Sequence, residues 1–140
     1  MIVAEPPVAY RVRPPLVVDS SVICAVLFDE PEREQALRRV AGHALSAPNL
    51  LDHEVVHVAL KKRRLGWPEG SLSLALDHYS AYEIEIHGTD PAAQYALAEQ
   101  YSLSGCDAAY LWLAAELKAS LATFDRRLGE AAQRHFGSLA

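Results

Sequence analysis

Short apolar runs alternate with longer segments of helical period along most of this chain, and that alternation constrains the fold more than any other feature. Leu16-Val17-Val18, Ala44-Leu45-Ser46, Tyr82-Glu83-Ile84-Glu85-Ile86 and Ser120-Leu121-Ala122-Thr123 each read as a short strand. Helices fill the gaps. Ser20 or Ser21 is placed to cap one beginning at Val22, with Ile23, Val26 and Leu27 as its stripe. Pro31 opens a second, with Glu32 and Glu34 in its first turn, Arg38 and Arg39 in its last, and Gly42 at its end. Asn49 opens a third, which carries Leu51, Val55 and Val58 on its apolar face and runs to about Leu65. Pro68 opens a fourth with Leu72, Leu76 and Tyr79, and Pro91 a fifth with Ala93, Leu97 and Tyr101. Ser104 caps a sixth from Cys106 to Leu117, apolar almost all round and therefore buried. A last helix follows from about Asp125 to His135. Strands separated by helices give an α/β fold, a small parallel sheet flanked by helices on both faces.

At 140 residues, the chain is the size of one domain, expected over residues 16–140 behind an irregular, Pro-rich arm at 1–15. No apolar stretch approaches the roughly 18 residues of a membrane span. The first residues lack a basic region followed by an apolar one, so a cytoplasmic location is expected. Two cysteines, Cys24 and Cys106, are too few for a disulfide framework or a zinc cluster of their own, and are expected as buried free thiols. The net charge of −5 and a pI near 5.6 give none of the basic footprint of a simple nucleic-acid binder. They do not exclude an enzyme whose acidic residues hold metal.

The chemistry lies in where the carboxylates fall. Ligands of open α/β sheets bind beyond the carboxyl ends of the strands. Asp19 ends the first strand, and Asp125 stands just past the last one. Asp107 lies in the first turn of the buried helix, a place where an aspartate often serves only the helix dipole. Glu54 is more informative: at about 100° per residue it sits roughly 60° from Leu51, on the border of the buried face. A carboxylate there needs a partner. Four converging carboxylates repel one another, and Mg²⁺ or Mn²⁺ removes the conflict because hard cations take oxygen ligands. Two such ions can activate water and steady the leaving oxygen of a phosphodiester.

Three segments together resemble the PIN domain family. VVDSSVICAVLFDEPE is similar to its opening, an aspartate ending a strand with hydroxyl residues behind it. SAPNLLDHEVVHVALKKR is similar to its second motif, a helix with one acidic residue. YSLSGCDAAYLWLAAELKASLATFDRRL is similar to its closing pair, an aspartate opening a buried helix and another in a Thr-x-Asp. The compact length and second motif look most like the VapC toxins of VapBC toxin–antitoxin modules. The resemblance implies a PIN-like three-layer sandwich and an endoribonuclease dependent on Mg²⁺ or Mn²⁺. It implies a homodimer, held inactive by a cognate antitoxin docked on apolar helical surface near residues 22–40. The implied catalytic and metal-holding quartet is Asp19, Glu54, Asp107 and Asp125, with Ser20 and Thr123 supporting it.

A competing motif overlaps the second segment. His53 to His57 spell H-E-x-x-H, the zinc metallopeptidase pattern, in which two histidines bind zinc and Glu54 is the general base. Both histidines fall on the polar side of the helix, about 200° and 240° from Leu51. The extended form of the motif also fails, because Leu60 and Arg63 stand where Gly and His are required. A non-catalytic PIN-like binding module is the third reading. The run Lys61, Lys62, Arg63 and Arg64 suits a helix C-terminus and equally an RNA phosphate contact; Arg126 could also reach a phosphate. Trp67 and Trp112 read as core or dimer contacts.

Overall fold

The computed structural model describes residues 1–4 and 13–139. The chain runs β1(Pro15–Val18), α1(Ser20–Leu27), α2(Arg33–Val40), β2(Ala44–Pro48), α3(Leu50–Arg64), α4(Glu69–Ala81), β3(Glu85–His87), α5(Pro91–Tyr101), α6(Gly105–Leu117), β4(Ser120–Ala122) and α7(Arg126–Leu139). Most of the expected arm at 1–15 lies outside the described residues, and Pro15 already belongs to β1.

The four strands form one parallel sheet in the order β3-β2-β1-β4. Successive connections β1 to β2 and β2 to β3 step the same way across the sheet. Right-handed crossovers therefore place α1 to α4 on one face. The return from β3 to β4 crosses in the opposite direction and puts α5 and α6 on the other. The packing agrees: α6 lies on β1, β2 and β4 with α5 and α7 beside it, while α1 packs against α2, α3 and α4. This is the three-layer α/β arrangement.

Burial follows from that layering. Leu16, Val17 and Val18 are fully buried because β1 is central and covered on both faces. Ile23, Leu51, Val55, Tyr110, Leu111, Leu113 and Leu128 close over the sheet from both sides. Among the described residues, no helix is long and apolar enough to cross a membrane.

Four local expectations need correction. The cap of α1 is Asp19, whose carboxylate accepts the Val22 amide at 3.2 Å, rather than Ser20 or Ser21. A carboxylate is the stronger acceptor, and the helix starts one residue after it. The strand expected at Tyr82–Ile86 is instead β3, Glu85–His87, because Tyr82 closes α4 and Glu83 turns the chain with φ 50°. Cys24 is buried, but Cys106 is exposed, on the outer side of the first turn of α6. The apolar residues Val22 to Phe28 are in the core, and the outer positions of α2 are charged, so 22–40 presents no broad apolar helical surface.

Candidate active site

The strand order changes direction between β1 and β4, and a crevice opens there beyond the strands' carboxyl ends. Asp19 follows β1 directly and is 5% exposed. Its carboxylate is held by three groups of short reach. One oxygen accepts from the Ser21 hydroxyl at 2.6 Å and from the Val22 amide, and the other from the Thr123 hydroxyl. Thr123 in turn accepts the Asp125 amide at 2.9 Å, and Ser21 accepts the Phe124 amide at 2.9 Å. The ends of β1 and β4 are thus bolted together by hydroxyl groups.

Glu54 comes to the same crevice from the second turn of α3. Its two oxygens are taken by different elements: Ser20 donates to one at 3.1 Å, and Tyr110 of α6 donates to the other at 2.6 Å. Asp107 lies three residues before Tyr110 on the same side of α6, its amide capped by the Ser104 hydroxyl at 3.1 Å. Asp125 caps α7 by accepting the Leu128 amide at 3.1 Å.

The electrostatics show which carboxylates are neighbours. Burial holds the Asp19 carboxyl above the ordinary range, and the charge of Glu54 adds to that; its hydrogen bonds from Ser21, Thr123 and Val22 oppose the shift. Asp107 is likewise raised, by burial first and by Asp125 second, against the Ser104 bond and the charge of Arg127. The quartet therefore stands as two like-charged pairs, Asp19 with Glu54 and Asp107 with Asp125. None of the four makes an ion pair with Lys or Arg among the described residues. Nor do any three His, Cys, Asp or Glu side chains there group closely enough to cage one ion. Buried Cys24 is pushed up to about 12, by burial and then by Glu54, Asp19 and Glu30, which makes it an unreactive thiol.

The basic residues divide. Lys62 pairs with Glu30 at 3.0 Å and lies 5.0 Å over the Trp67 ring, and Arg63 donates to the Trp67 carbonyl at 3.1 Å. Arg126 is tied to Glu130 at 2.8 Å. Lys61 and Arg64 extend from the end of α3 as exposed cations. A cleft of about 550 Å³ brings Lys61 and Lys62 alongside Ser20, Ser21 and Phe124; Glu30 and Glu32 line it too, and with Lys62 paired to Glu30, Lys61 is the cation it leaves without an ion-pair partner among the described residues. His53 and His57 are both exposed, and Glu54 turns away from them to Tyr110 and Ser20. Sequence reasoning missed two contributors, Tyr110 and Ser21. Tyr110 reads as an ordinary core aromatic; its spacing of three from Asp107 was the available signal.

Residues 16–133 match the PIN domain family. Ribonuclease VapC3 of Pyrobaculum aerophilum is 31% identical over 121 residues, which cover 82% of this chain and 92% of the relative. Among solved structures, PAE2754 of Pyrobaculum aerophilum superposes with a TM-score of 0.68 at 18% identity, covering 94% of each chain. VapC20 of Mycobacterium tuberculosis, described as a Sarcin-Ricin loop cleaving toxin, superposes with a TM-score of 0.59 at 14% identity, covering 83% of this chain and 94% of its own. The two superpositions establish the shared fold. On the family match and the VapC3 relationship, this chain belongs to the PIN domain family, among its VapC-type members.

Proposed function

We propose that the chain is a metal-dependent endoribonuclease, the toxin of a toxin–antitoxin pair, acting on RNA as a homodimer with Mg²⁺ or Mn²⁺. The observation that carries this reading is two like-charged carboxylate pairs, Asp19 with Glu54 and Asp107 with Asp125, linked through Thr123 at the ends of β1 and β4 and ion-paired to no Lys or Arg among the described residues. Such pairs fit hard divalent cations, since Mg²⁺ is typically bound through one or two carboxylates and keeps several waters. Asp19 and Glu54 would hold one side of the site, and Asp107 and Asp125 the other. When bound, the metal supplies charge neutralisation at the phosphodiester and lowers the pKa of water.

The chain's own residues prepare the site. Ser21 and Thr123 fix the Asp19 carboxylate from both sides, and Tyr110 with Ser20 fixes Glu54, so neither carboxylate rotates freely. Lys61 is placed to attract an RNA phosphate along the adjoining cleft. The zinc peptidase reading is not favoured: both histidines face solvent, and no third ligand stands with them among the described residues.

The test is cleavage of total cellular RNA in Mn²⁺ by the purified chain beside Asp107→Asn from the same preparation. Cleavage by the wild type alone supports the proposal. Equal cleavage by both, or none by either across single-stranded and hairpin substrates, overturns it.

A further inference from the structure

The outer edge of β4 is open. The strand pairs with β1 on one side, and among the described residues no strand pairs with the other. The register fixes which backbone groups are left over. Val17 is opposite Leu121, and the Asp19 amide donates to the Ala122 carbonyl at 3.3 Å. In a parallel ladder, Ser120 and Ala122 then serve β1, and the N–H and C=O of Leu121 point outwards.

They point into a cleft of about 690 Å³ whose floor is β4 and whose walls are α2 and α7. The cleft begins at Thr123 and Phe124, on the lip of the acidic crevice, and runs down to Phe136. Its lining carries two arginines, Arg38 and Arg39, and no Asp or Glu. In a chain of net charge −5, that is a local reversal of sign. Arg38 has a loose partner in Glu34 at 3.9 Å on the outer face of α2; Arg39 has no acidic partner among the described residues.

We propose that this cleft receives an extended, acidic peptide segment of a partner protein, added as a strand along β4. Strand addition uses main-chain hydrogen bonds for affinity and alternate side chains for specificity, and here the edge offers the first and the arginines the second. Self-pairing of two β4 edges is disfavoured by the same charges, because a two-fold axis would bring Arg38 and Arg39 of both copies to one seam. An RNA strand is a poorer match, since both cations lie on one wall and the floor is backbone amide and carbonyl. The inference does not rest on the nuclease reading; it needs neither metal nor RNA.

The test uses the full chain and a panel of fluorescein-labelled octapeptides alternating glutamate with valine, leucine or phenylalanine. Lysine-for-glutamate counterparts serve as controls, and binding is read by fluorescence anisotropy. We expect at least one acidic peptide to bind and its lysine counterpart to fail. Arg38→Glu with Arg39→Glu should weaken it tenfold or more; Arg38→Ala with Arg39→Ala, on the exposed side of α2, guards against misfolding. N-methylating the peptide residues that face β4 should abolish binding, while N-methylating the alternate set should not. Bound peptide should also slow exchange of the Leu121 amide. The proposal is overturned if no acidic peptide binds, or if binding ignores the arginines or the methylation register. It is equally overturned if an eight-nucleotide single-stranded RNA takes the cleft in preference with the same arginine dependence. A wild-type dimer that the double Glu variant dissociates would assign the edge to self-pairing and also overturn it.

Discussion

Tyr110→Phe isolates one hydrogen bond at the centre of the site. The Tyr110 hydroxyl is 2.6 Å from Glu54 and its ring is 1% exposed, so phenylalanine keeps the packing and removes only the donor. Burial, and then this bond to Glu54, hold the Tyr110 hydroxyl far above its ordinary range, so it stays protonated throughout the working pH range. Hydrogen bonds to charged groups contribute about 1.5–3 kcal/mol. Glu54 keeps the Ser20 bond and is partly exposed to water, which places the loss near the lower end, about 1.5 kcal/mol. With an unfolding entropy of about 2.1 cal/mol/K per residue, this chain has roughly 0.3 kcal/mol/K, and the melting temperature should fall by about 5 °C. Urea unfolding in EDTA, followed by tryptophan fluorescence, measures the free energy directly. Glu54→Gln and the double variant complete a cycle whose coupling should be about 1 kcal/mol or more. A Tyr110→Phe protein that melts within about 1 °C of the wild type, or a coupling near zero, would refute the bond as described.

Three further outcomes follow from the same geometry. Asp19 and Asp107 both bind their protons more tightly when folded. In the absence of metal, stability should therefore fall as pH rises from their ordinary value of 3.8 through the raised folded values. Mn²⁺ competes with those protons, so its lift in melting temperature should be larger at pH 7.5 than at pH 4.5; an equal lift at both would contradict the assignment. Thr123→Ala removes the hydroxyl that joins Asp19 to the Asp125 amide, and should cost about 1–2 kcal/mol in urea unfolding, with Thr123→Ser restoring most of it. Leu111→Ala, fully buried in α6 beneath the sheet, should cost about 2–5 kcal/mol in the same assay, and a smaller loss would mean that this face is loosely packed.

The parts of this fold legible in the sequence are those set by local chemistry. β1 shows as an apolar run ending on Asp19 because a central strand is covered on both faces. α5 and α6 show because Pro91 and Ser104 mark their starts, and the Asp90 and Ser104 side chains cap them. The misplaced features are those set by tertiary partners. Tyr82 to Ile86 alternates like a strand, yet pairing with β2 selects Glu85–His87, with Ser46 opposite Glu85. At the start of α1, three acceptors stand in a row, and Asp19 takes the cap while its hydroxyl neighbours turn to Glu54 and to Asp19 itself.

The site divides along the same line. Asp19 and Glu54 were legible because one ends a strand and the other borders a buried helix face. Tyr110 was not, because a buried tyrosine and a buried tyrosine holding a glutamate look alike in one dimension. The free cations were equally hidden: Lys62 and Arg63 lie in the same basic run as Lys61 and Arg64, but Glu30 and Trp67 occupy them.

In the proposed site, two carboxylate pairs at the β1–β4 crevice hold the metal. Calorimetric titration of Mn²⁺ into the wild type, each of Asp19→Asn, Glu54→Gln, Asp107→Asn and Asp125→Asn, and the pair His53→Ala with His57→Ala tests it most directly. Each carboxylate variant should lose affinity tenfold or more, while the histidine pair should bind as the wild type does. Undiminished binding in the carboxylate variants, or loss in the histidine variant, would contradict it.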